Sequence, residues 1–136
     1  MEKYEERIKK HEDMILQHQE ANREQNIKKL VSNARAILTN QIGIPLGVLK
    51  MGAIITRIQF IRPITEIDLS VFSEYNNKTS TFPIDKERLH YNSEYLKQQD
   101  TILDELTVKY KNSIIIKCNE IIEMYSNTEK SEKTKN

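Results

Sequence analysis

The chain has no tryptophan, one cysteine, and only three glycines and three prolines in 136 residues. Each shortage removes a class of protein. A lone Cys118 cannot close an internal disulfide or build a cysteine-rich zinc site. So few glycines and prolines do not furnish the many turns of an all-β protein. Charge of one sign is lacking as well: the formal net charge is +1, so no global field draws the chain to nucleic acid or to an anionic membrane. Glycines 43, 47 and 52 lack the spacing of a phosphate-binding loop, and no serine lies in a Gly-x-Ser-x-Gly elbow. The first ten residues are charged and have no apolar run of the kind that opens a secretory leader. A cytoplasmic location is therefore expected. An enzyme is not: no nucleophile, base or metal constellation can be assembled, and no cofactor is implied.

What the chain does have is helical periodicity. Leu103, Leu106, Tyr110, Ile114, Cys118, Ile121 and Tyr125 follow one another at steps of three or four residues, which places them on one face of a helix. Cys118 stands on that ladder, so it reads as a small buried hydrophobe. Ser93 reads as the cap of this helix, which should run from about residue 94 to 125.

Residues 1–41 hold no glycine or proline. Their first part carries a thin stripe of Tyr4, Ile8, His11, Ile15 and His18, and the two histidines are expected to be half-buried on it. Glu5–Lys9, Glu6–Lys10 and Glu24–Lys28 are i,i+4 pairs with the acid first, the better order on a helix. The second part, with Ile27, Leu30, Val31, Ala34, Ile37 and Leu38, should enter a core. A long helix from about residue 3 to 39 is predicted, with a break near 21–26 as an alternative. Asn40 or Gly43 could stop it in the left-handed conformation.

Pro45 suits the first turn of the next helix, about 45–59. That helix is apolar nearly all round and should be the central, most buried one. Gly47 and Gly52 would let a neighbouring backbone come close. The stretch 42–61 contains Pro45, Lys50, Arg57 and Gln59, so a buried core helix is preferred to a membrane span. Pro63 ends this element. Thr65 is the expected cap of a short helix carrying Ile67, Leu69, Val71 and Phe72, although their alternation also fits a strand. Residues 76–81 read as a polar loop, and Phe82-Pro83-Ile84 as an apolar plug that pins it. The expected architecture is all-α: a single-domain helical bundle of four to five helices over 1–125, with 1–23 a polar extension and 126–136 a disordered tail.

Two spacings could carry chemistry. Glu87 and His90 form the Glu-x-x-His pair of di-iron bundles, but such sites need two of these motifs and two further glutamates. No metal is expected. Residues 25–65 contain no acid yet carry Lys28, Lys29, Arg35, Lys50, Arg57 and Arg62. Rims of buried helices explain them most simply; a phosphate or nucleic-acid surface is the alternative. Only Phe60 interleaves with these cations, so nucleic acid is disfavoured as a partner.

Residues 34–44 (Ala34-Arg35-Ala36-Ile37-Leu38, then Thr39-Asn40-Gln41-Ile42-Gly43-Ile44), followed by Leu46-Gly47, form one distinctive block. A second holds Phe72-Ser73-Glu74, Phe82-Pro83-Ile84, Arg88, Tyr91, Leu96, Asp100, Ile102, Cys118, Ile121, Ile122 and Tyr125. Together, over about residues 30–125, they resemble a family of small bacterial helical proteins of unknown function. Tyr91 stands where that family tends to have tryptophan, and the polar extension to Arg23 is less typical. The resemblance implies an immunity protein, since orphan proteins of this kind often stand beside toxin genes. Its partner would be one cognate toxin, neutralised by occlusion. Within that reading the partner-binding residues are Glu74, Asp85, Arg88, His90 and Tyr91, at a loop-to-helix corner. Arg88 has a second expected role, as an ion pair with Glu74 or Asp85 that holds the corner closed. A self-associating protein, a homodimer paired through residues 1–23, is the remaining alternative.

Overall fold

The structure is a computed structural model that describes the backbone of residues 2–83 and 85–134, and the side chains of 3–83 and 86–126. It is all-α. Helices α1 (Glu2–Leu38), α2 (Ile44–Ile61), α3 (Ser70–Thr79) and α4 (Ser93–Thr134) follow in order, with a 3-10 helix at Asp85–His90, and no strand occurs among the described residues. The backbone of α4 continues to Thr134, across most of the stretch 126–136 expected to be a tail, while the side chains beyond Ser126 and residues 135–136 lie outside the described residues.

α1 runs without a break through residues 21–26. It stops at Asn40, the one positive-φ residue (φ 58°) among those described. The Asn40 N–H donates to Ile37 O (3.2 Å) and the Gln41 N–H to Ala36 O (2.9 Å). These are the two bonds of a Schellman cap, with asparagine in the left-handed position that glycine usually fills. Gly43 does not take that role: its φ is −68° and it precedes α2, with Pro45 in the first turn.

The core is one cluster fed by all four helices. α1 supplies Ile27, Leu30, Val31, Ala34 and Ile37; α2 supplies Val48, Met51, Ile54, Ile55 and Ile58. Phe72 and Tyr75 come from α3, and Tyr110, Ile114, Cys118 and Ile121 from α4. The ladder on α4 is thus the core-facing stripe that its spacing predicts. The hub is not α2, however. The second half of α1 packs against both α2 and α4, whereas α2 and α4 scarcely meet. α2 leaves Leu49, Ala53 and Phe60 exposed. Its composition is that of a central helix, but α1 and α3 cover only part of its surface and the rest faces water. By length and apolarity α2 would also suffice to cross a bilayer, with a third of that window buried in the body.

The two α2 glycines are contact points. A Cβ on Gly47 would lie 2.6 Å from Ile37 Cγ1, and one on Gly52 would lie 2.6 Å from Asn76 Nδ2. In the space so cleared, the Asn33 amide donates to Gly47 O (2.9 Å) and the Asn76 amide to Val48 O (3.0 Å). α1 and α3 each pin α2 through its own backbone carbonyls.

Three boundaries differ from the sequence expectation. Residues 63–69 are irregular, with a bend at 66–67, and Thr65 starts no helix; α3 begins at Ser70, whose N–H donates to the Asp68 carboxylate (2.9 Å). Residues 76–79 are the last turn of α3 and not a loop. Polar composition misleads there because Asn76 spends its amide on α2, while Thr79 is buried and its hydroxyl donates back to Tyr75 O (2.9 Å). The α4 cap is Asn92, one residue before Ser93: its Oδ1 accepts the Tyr95 N–H (2.8 Å), which satisfies a first-turn donor. Phe82 and Pro83 are buried as the plug requires, and Ile84 lies outside the described residues.

Candidate partner-binding surface

The corner between the 3-10 helix and α4 is built around one ion pair. Arg88 Nη1 donates to Asp100 Oδ1 (2.7 Å) and Nη2 to Oδ2 (2.9 Å). This is the two-pronged geometry that a planar guanidinium makes with a carboxylate. The hydrogen bond from Arg88 holds the Asp100 carboxyl below the usual carboxylate range, and Asp100 raises Arg88 in turn. The structural partner of Arg88 is therefore not Glu74. The side chain of Asp85 lies outside the described residues.

Glu74 belongs to a different junction. It accepts a hydrogen bond from Tyr110 Oη (2.8 Å) and lies 3.9 Å from Lys78 Nζ. Lys78 in turn stands 5.1 Å above the Tyr110 ring. Asp100 and Tyr110 are ten residues apart, about 15 Å along α4. Arg88 and Glu74 thus grip α4 at separate levels, and the five sequence-selected residues do not form one cluster. Beside Glu74, buried Tyr75 meets Tyr110 edge to face at 5.9 Å between ring centroids. The Tyr75 hydroxyl lies 2.8 Å from Thr107 Oγ1. Thr107 already donates to Leu103 O, so Tyr75 is the donor of that pair. Burial pushes the Tyr75 hydroxyl up from its ordinary value.

The Arg88 corner carries an exposed apolar and aromatic surface. His90 is exposed. Tyr91 stacks on Tyr95 with centroids 5.0 Å apart and planes 22° from parallel, and both rings are solvent-facing. Leu89, two residues before Tyr91, is 85% exposed, a large open apolar side chain close in the chain to the tyrosine pair. Tyr95 and Ile102, seven residues apart, are exposed along one face of α4. Sequence reasoning missed Tyr95: Tyr91 lies outside α4, before the Asn92 cap, so no helical spacing announces the stack. It also missed Asp100 as the partner of Arg88, for which no local spacing exists.

The basic zone is partly neutralised. Arg62 pairs with Glu20, and Arg57 Nε donates to Asn26 Oδ1 (3.2 Å). Lys29 and Lys50 are at the surface. A groove of about 440 Å³ between α1 and α2 is lined by Asn22, Asn26, Lys29, Arg57 and Phe60 among others, with no carboxylate. His11 and His18 are exposed and not half-buried, as is every residue from 3 to 18. Among the described residues, no three of His, Cys, Asp and Glu are grouped to hold a metal ion.

Comparison with known proteins finds no family model, no curated protein and no solved structure that matches this chain.

Proposed function

We propose that this chain is a protein-binding module, and specifically an immunity protein that neutralises a cognate bacterial toxin by occlusion in the cytoplasm. The observation that carries the reading is the Leu89–Tyr91–Tyr95 surface. Stacked tyrosines with an open leucine close in the chain, on a corner braced by a bidentate Arg88–Asp100 pair, are the composition of an interface anchor. Tyrosine brings large contact area and loses few rotamers on binding. The bracing matters because a pre-shaped corner spends less binding energy on being ordered. The toxin part of the reading rests on the family resemblance of residues 30–125. Glu74 serves α3–α4 packing in this account and leaves the partner-binding set, whereas Arg88 acts on the partner through the corner it holds.

The test is growth rescue. Each protein encoded beside this gene that is toxic when expressed alone is co-expressed with the chain, and with Leu89→Asp and Tyr91→Asp variants. The expected result is protection by the wild type, lost in both variants while helicity and melting are retained. Absence of any neutralised neighbour would refute the toxin reading; full protection by both variants would move the binding surface elsewhere.

A second reading has its own observation, the carboxylate-free α1–α2 groove with Lys29 and Arg57. It makes the chain a phospholigand or nucleic-acid binder, with affinity that falls steeply as salt is raised.

A further inference from the structure

Residues 3–18 of α1 are exposed on every side, so nearly half of a 37-residue helix stands clear of the body. Most helical stability in a protein comes from packing an amphipathic face, and this segment packs none of its own within the chain. Its stripe is Tyr4, Ile8, His11, Ile15 and His18, at alternating steps of four and three. That alternation is a heptad seam: Ile8 and Ile15 take the a positions, and Tyr4, His11 and His18 the d positions. The seam lies roughly 100° round the helix from the side that enters the body at Arg23, Ile27 and Leu30, so the body does not block it. It turns polar at Asn22 and Gln25, where the body begins.

The flanking charges select both the partner and its direction. Glu5, Glu12 and Gln19 fall at e; Arg7, Met14 and Ala21 fall at g. In a parallel pair each g residue faces the e residue five further along the other chain, which sets Arg7 against Glu12 of the partner subunit, twice by symmetry. In an antiparallel pair e meets only e and g only g, so no opposite charges meet in any register. We propose that residues 4–18 form a short parallel coiled coil with a second copy of this chain. His11 and His18 then each face their own copy across the seam. A polar residue in a core position fixes register at a cost in stability, so the pair is weak and in-register. This surface is separate from the Leu89–Tyr91 corner, and the dimer would leave that corner free.

Analytical ultracentrifugation of the full chain over a concentration series tests it, with helicity checked for every variant. All substituted positions are exposed, so folding is not at stake. The dimer should dissociate in Arg7→Glu and in Glu12→Arg, and return in the R7E/E12R double variant, where the pair is restored with its signs exchanged. Replacing both seam histidines, His11→Leu and His18→Leu, should tighten the dimer by roughly tenfold or more. A chain that stays monomeric at every concentration, with the leucine variant monomeric too, overturns the proposal. So does a dimer that is indifferent to the charge reversals.

Discussion

Replacing Gly47 with alanine should destabilise this protein, although alanine is the better helix former. In an ordinary helix interior the change gains about 1 kcal/mol. Here the new methyl would lie 2.6 Å from Ile37 Cγ1 and 2.9 Å from Ile37 Cδ1. Ile37 is 4% exposed and packed in the core cluster, so its side chain must shift against buried neighbours. Overpacking of this kind costs about 1–3 kcal/mol. If α2 retreats instead, the 2.9 Å bond from Asn33 to Gly47 O is stretched, a loss of about 1 kcal/mol. Set against the propensity gain of about 1 kcal/mol, the overpacking route leaves a net loss of up to about 2 kcal/mol and the retreat route leaves no net gain. Gly52→Ala is the internal control. Its methyl meets only the end of the Asn76 side chain, which can swing away. There the lost bond to Val48 O and the gained helix propensity, each about 1 kcal/mol, nearly cancel. Urea unfolding followed by circular dichroism gives both values by linear extrapolation. An alanine at 47 that stabilises the chain, or one at 52 that costs more, would refute the packing argument.

Burial pushes the Cys118 thiol up to about 11, so the native protein at neutral pH should react with a thiol reagent only as fast as it opens; immediate labelling would contradict the core placement. Tyr75→Phe should cost about 1 kcal/mol in unfolding free energy, through the lost bond to Thr107, and leave helicity unchanged. For Asp100 the sign follows from its lowered folded value. Its contribution is complete above the unfolded carboxylate range and is lost as pH falls through the folded value. The stability gap between wild type and Asp100→Asn should therefore close on acidification. The gap is small and shrinks with salt, because both partners are well exposed. A gap that held constant with pH would show that the pair contributes nothing.

Periodicity makes the helices legible, and composition does not. The α4 ladder states its buried face residue by residue because a single helix face meets a single core. For the end of α1 the sequence offers two residues, and backbone geometry chooses Asn40 over Gly43. Polar residues mislead most. Asn76 and Thr79 look like loop residues, yet each sends its side chain to a backbone carbonyl, a bond that no spacing announces. The rank of α2 is overstated by its sequence because apolarity measures what a helix could bury, not how many neighbours it receives. At the candidate site the corner itself is visible in its loop character. The carboxylate that holds it is not, because sequence distance favours Asp85 and helix geometry favours Asp100.

The placement of α1 between α2 and α4 also dictates an order of events during synthesis. α1 and α2 are joined by a five-residue link, so their hairpin closes at little entropic cost as soon as both have been made. The α4 side of α1 has no such local partner. Its counterpart, Ile114 to Ile121, is translated roughly eighty residues after Ala34 and Ile37 of α1, and closing so long a loop is slow. Until then a growing chain displays much of its eventual core to solvent. The nascent hairpin therefore waits with the α4-facing side of α1, Ala34 and Ile37 included, uncovered until the last helix is made.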